Sequence, residues 1–147
     1  MEPSRHIELS QDAALVAALA GTAMSFSHSA EDQAERWLRA LRLHGQVGTA
    51  LQALGVGEAP LMTGSQPPAE PPAGTPPLGE DVVDRVVKRA CALAGERDAP
   101  VVCTTDLLFA LFEIYDRLMV RALYLRGASK EELLQQLAVT SETAEPA

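Results

Sequence analysis

Residues 104–127 read "TTDLLFALFEIYDRLMVRALYLRG", with hydroxyl residues at a helix start, apolar residues at helical spacing, a break and a glycine stop. Leu107, Leu108, Leu111 and Phe112 share one face of a helix that Thr104 is placed to cap. Leu118, Ala122 and Leu125 mark a second helix that Gly127 ends. A looser copy, "ERWLRALRLHGQVGTALQALG", occupies residues 35–55. Trp37-Leu38-x-Ala40-Leu41 aligns with Leu107-Leu108-x-Ala110-Leu111 at an offset of 70, and Ala50-Leu51-x-x-x-Gly55 with Ala122-Leu123-x-x-x-Gly127 at 72. Upstream, Ala18-Leu19-Ala20-Gly21 answers Ala92-Leu93-Ala94-Gly95 at 74. Such self-similarity reads as a tandem duplication of a helical unit whose halves pack on each other, because neither buries its apolar face alone.

The remaining segments fit the same plan. Ser10 caps a first helix with Asp12 in its first turn and Leu15, Leu19 and Ala23 along one face. From Ser29 a second helix carries Ala30, Ala34, Trp37, Leu38 and Leu41 inward, with Asp32–Arg36 and Glu35–Arg39 as i,i+4 pairs outside. Gly45 ends it. A short helix with Val47, Ala50, Leu51 and Leu54 then runs to Gly55, where Val56 is set for a helix-end apolar contact. In the second half, Val83, Val86, Val87, Ala90 and Ala94 line a helix stopping at Gly95, and Ser129 with Glu132 forms a capping box for a closing helix.

A chain of 147 residues with 47% hydrophobic and 4% aromatic content, rich in alanine and leucine, fits one all-α domain without metal or disulfide staples. The net charge of −8 is shared by both halves, and the arginines stand in helical ladders among acids, so no phosphate-neutralising face is expected and no nucleic-acid partner. The apolar run "AALVAALAG" is too short to cross a bilayer and lacks a basic leader, which predicts a soluble, cytoplasmic chain without a membrane role. Cys91 and Cys103 read as free thiols. Residues 63–79, "TGSQPPAEPPAGTPPLG", hold six of the ten prolines and read as an extended linker between residues 1–62 and 80–137, with a frayed tail at 138–147.

The second half resembles a known family at this point. "VVKRACALAGERDAPVVCTTDLLFALF" followed by "RALYLRGASKEELLQQL" is similar to one repeat of the Clp amino-terminal domain, the module at the front of Clp-type protein-unfolding ATPases. The resemblance implies a pseudo-two-fold double four-helix bundle that docks a protein or peptide, with Clp-type ATPases, their adaptors or tagged substrates as the partner class and bacteria as the setting. The family's threonine-glutamate-histidine triplet reads Thr104-Thr105-Asp106 in one half and Ala34-Glu35-Arg36 in the other, and a long linker replaces the short connector. Some members bind phosphoarginine through a hydroxyl at the first helix start and the glutamate of that triplet. Those positions fall on Ser10 and Glu35, which match in type, and on Glu80 and Thr105, which do not. A helix cap at Ser10 and an i,i+4 pair from Glu35 to Arg39 explain the same residues structurally.

No GxxxxGK[ST] loop is present, so the chain is not the motor itself. His6, His28 and His44 lie apart from one another and from the cysteines, which predicts no metal and no cofactor. The acidic pairs Glu31-Asp32, Glu80-Asp81 and Glu131-Glu132 fall in first turns and complement helix dipoles. No GxSxG occurs, and neither cysteine has a basic neighbour suited to activating it. These absences predict a non-enzymatic interaction module. Trp37 belongs to the core stripe, and Tyr115 and Tyr124, nearer helix ends, are the better surface anchors. The rival expectation is a small helical enzyme or ligand sensor with a polar cavity between the repeats; a solid leucine core with an exposed apolar groove would favour docking.

Overall fold

A computed structural model of the chain describes residues 8–27, 29–56 and 82–140. The expected linker at 63–79, Glu80, His6, His28 and the last seven residues lie outside these. The described part is all-α apart from one two-stranded ladder: β1 (Glu8–Leu9), α1 (Gln11–Met24), α2 (Ala30–Arg42), α3 (Gly45–Ala53), α4 (Val82–Glu96), β2 (Val101–Val102), α5 (Thr104–Tyr115), α6 (Arg117–Leu125) and α7 (Lys130–Thr140). None of these helices is long and apolar enough to cross a membrane.

Three helix starts, those of α1, α2 and α7, follow hydroxyl residues. Ser10 Oγ accepts Ala13 N–H at 3.0 Å, Ser29 Oγ accepts Asp32 N–H at 3.0 Å, and Ser129 with Glu132 closes a reciprocal box at 3.1 Å in each direction. Each satisfies an amide that a helix start leaves without an intrahelical partner. Helix ends follow the glycines of the two matching segments. Gly55 (φ +82°) and Gly127 (φ +88°) take the left-handed conformation, which lets Val56 N–H reach Leu51 O and Ala128 N–H reach Leu123 O, both at 3.0 Å. Both α3 and α6 thus close with the same six-to-one bond, and Val56 and Ala128 are buried behind it.

Several local expectations are overturned. The inward face of α1 is Ala13, Val16 and Ala20, while Leu15 and Leu19 are 43% and 42% exposed. Small residues let the α1 backbone come close to its neighbours, and the leucines are turned outward. Gly95 does not stop α4; the helix runs to Glu96, and Asp98 (φ +54°) makes the left-handed turn, with Ala99 N–H bonded to Ala94 O at 2.9 Å. The N-cap of α5 is Cys103, not Thr104. Asp32 pairs with Arg36 at 3.2 Å, whereas no Glu35–Arg39 pair forms. The short parallel ladder, Glu8 opposite Val101 and Leu9 opposite Val102, ties the start of the described chain to the segment between α4 and α5, a long-range pairing that local sequence spacing does not signal.

The halves interlock rather than abut. α2 lies against α6 as well as α5, α3 against α5 and α7, and α1 against α4 and α5. Trp37, Leu38, Leu41 and Leu51 from the first half join Leu107, Leu108, Leu111, Met119, Leu123 and Leu133 from the second in one continuous, fully buried cluster. At about 1.5 to 3 kcal/mol per buried large aliphatic side chain, this shared core is the main stabilising term. Two polar contacts cross between the halves: buried Tyr115 Oη donates to buried Gln33 Oε1 at 3.0 Å beside the Trp37 indole, and half-buried Arg121 on α6 pairs with half-buried Glu31 on α2.

Candidate functional site

A cleft of about 600 Å³, open to solvent, runs between the α4/α5 pair and α7. Its walls are mostly apolar: Leu93 from α4, Phe109 from α5, and Leu134, Leu137 and Ala138 from α7, with Gln46 of α3 at one end. Helical spacing explains the placement. Phe109 lies on the outer side of α5, opposite the Leu107, Leu108 and Leu111 face, so it is 40% exposed while those leucines are fully buried.

The polar end of the cleft is built by the turn between α4 and α5. Asp106, 2% exposed, accepts Arg97 Nε at 2.9 Å and pairs with Arg97 Nη2 as well. Its carboxylate also accepts Cys103 N–H at 2.9 Å, which closes a capping box at the start of α5. Asp106 holds the Arg97 guanidinium above its ordinary pKa, and the Cys103 thiol lies close enough to contribute in the same direction. The guanidinium is half-exposed at the mouth of the cleft, with Thr105 and Cys103 beside it. The turn thus places Arg97 beside Cys103, with its guanidinium already engaged by Asp106. Cys91, behind this cluster on α4, has its thiol pushed up by burial and then by the Asp106 charge. Neither cysteine forms a disulfide among the described residues. Among the described residues, no group of three or more His, Cys, Asp and Glu side chains could hold a metal ion.

The residues singled out in the sequence are scattered. Thr105 lines the cleft. Tyr124 lines a separate, smaller groove on α6 with Arg117, Val120 and Arg121. Tyr115 is 4% exposed and bonded to Gln33, so it is a core residue and not a surface anchor; the last turn of α5 is enclosed by α2 and α6. Ser10 is fully buried, its hydroxyl capping α1 and its amide donating to Val102 O at 2.8 Å, which leaves it no open face for a ligand. Glu35 is half-buried near Arg126, whose enclosed guanidinium burial holds below its usual pKa, an effect Glu35 opposes. Glu80 lies outside the described residues. The cleft residues that the sequence did not mark, Leu93, Arg97 and Phe109, carry one available signal: an exposed aromatic out of phase with the α5 stripe. No protein-family model and no curated protein matches the sequence.

Proposed function

We propose that the chain is a non-enzymatic, Clp-N-like protein-interaction module that docks a protein or peptide partner, acting as adaptor, decoy or assembly component of cytoplasmic Clp-type or related machinery. The observation that carries this reading is the pairing of a filled leucine core with an open, apolar cleft around exposed Phe109. An apolar trough of this size with one charged corner suits an extended or helical peptide. The space between the halves, where a sensor or enzyme would need its cavity, is filled by Trp37, Leu38, Leu108 and Leu111.

The tandem, pseudo-two-fold arrangement belongs to the same proposal. In its support, α1, α2 and α3 are followed in the same order by α4, α5 and α6, the aligned α3 and α6 segments end in the same hydrogen-bond motif, and the long helices α2 and α5 each touch the other half's third helix. The test is parallel affinity capture from the native cell with wild type and Phe109→Asp. Phe109 is exposed, so the variant keeps its helical circular dichroism. A partner held by wild type and lost by the variant is expected; identical capture by both would remove the cleft as the docking site.

A further inference from the structure

A further groove, about 170 Å³, lies between α1 and α2 and is lined by Leu19, Ala23, Arg36, Arg39, Ala40 and Leu43. Shifted by the offsets of the duplication, 74 for α1 and 70 for α2, the first four of these fall on Leu93, Arg97, Asp106 and Phe109, all of which line the large cleft. The two depressions occupy matching places on matching helix pairs. They differ in one wall: α7 closes one side of the large cleft with Leu134, Leu137 and Ala138, whereas every described residue lining the small groove comes from α1, α2 or the end of α2. Leu19 and Leu43 in the groove are each more than 40% exposed, and the apolar surface continues along α1 to Leu15, 43% exposed.

We propose that the α1/α2 groove is a second docking site that receives an acidic amphipathic helix of a partner protein in the place where α7 stands on the other half. This rests on the docking reading above and adds the surface and the chemistry of its occupant. Charge selects the occupant. Among the described residues, the groove lining holds two arginines and no acid, in a chain whose net charge is −8. Arg36 is tied to Asp32, leaving exposed Arg39 to meet an incoming carboxylate. On α7, Leu134 and Leu137 face the cleft and exposed Glu131 stands one turn before Leu134, an apolar face with an acid beside it. A second copy of the chain fits less well, because a two-fold contact centred on the groove brings Arg36 and Arg39 toward their own counterparts.

The probe is a fluorescein-labelled, end-capped and stapled peptide with the sequence KEELLQQLAVT, titrated into the full chain by fluorescence anisotropy. Saturable binding is expected, weakened roughly tenfold or more by Leu19→Asp and by Arg39→Glu and unchanged by Phe109→Asp, with a Glu-to-Lys version of the peptide recovering binding to Arg39→Glu. Both substituted positions are exposed, and unchanged melting curves establish that each variant is folded. Absence of saturable binding to wild type overturns the proposal. Sensitivity to Phe109→Asp with indifference to Leu19→Asp places the peptide in the large cleft, which overturns this site while the docking function stands. Binding seen only after residues 57–81 are replaced by a Gly/Ser segment makes the chain itself the occupant and overturns the partner.

Discussion

Thr104 Oγ1, in the first turn of α5, accepts the N–H of Val47 at 3.3 Å and so caps α3 from the other half of the chain. His44, the N-cap residue of α3, makes no side-chain cap bond of its own. The amide of Val47 would otherwise be a buried helix-start donor, and the residue that satisfies it lies 57 positions away. Thr104→Val should therefore cost about 1 to 2 kcal/mol in urea unfolding, with Thr104→Ser recovering most of it. Hydrogen exchange at Val47 provides the specific readout. Unchanged protection of that amide in Thr104→Val would show that the bond contributes nothing.

Leu108 lies fully buried in the cluster shared by both halves. Leu108→Ala should lower stability by about 2 to 5 kcal/mol. Because α2 packs on α6 and α3 on α7, a fragment of residues 80–147 expressed alone exposes the surfaces those contacts cover. Calorimetry of that fragment should show no cooperative transition, and a sharp one would contradict the interlocked core.

Gly48 sits where α3 passes the end of α2. A Cβ built there meets the Leu41 and Arg42 carbonyl oxygens at 2.9 Å each, and backbone cannot move aside as a flexible side chain can. Gly48→Ala, ordinarily favourable in a helix, should instead destabilise by about 1 to 3 kcal/mol on thermal unfolding.

Asp116 joins α5 to α6 at φ +52°, ψ −121°, a conformation that glycine tolerates and a residue with a Cβ adopts only with strain. Asp116→Gly should stabilise the fold by about 1 kcal/mol, read as a higher midpoint in denaturant, since the relieved strain exceeds the added unfolded-state entropy.

Burial pushes the Tyr115 phenol well above its ordinary pKa, against a smaller opposite effect from the Trp37 indole. The ionised form is the disfavoured one, so the unfolded chain releases this proton first. The contribution of Tyr115 to stability is therefore present below about pH 10, the unperturbed value, and declines above it. In an alkaline titration, the phenolate absorbance that differs between wild type and Tyr115→Phe should rise only as helical circular dichroism is lost. Ionisation with the helices intact would mean that the phenol is open to solvent.

Helix content, the hydroxyl caps at Ser10, Ser29 and Ser129, and the glycine ends at Gly55 and Gly127 were legible in the sequence because each depends on residues within one turn of each other. The α2 and α5 stripes were legible for the same reason: large apolar residues at strict helical spacing leave one choice of inward face. The face of α1 was not, since a helix made mainly of alanine and leucine offers two apolar faces, and only close packing against α2 and α5 selects the alanine side and exposes Leu15 and Leu19. The same tertiary choice opened the α1/α2 groove. It also buried Tyr115, turned Thr104 from a cap of its own helix into a cap for α3, and set Arg97 against Cys103 and Asp106 at the mouth of the cleft. Each of these depends on which helix arrives from a distant part of the chain, a matter of three-dimensional packing that local spacing does not encode.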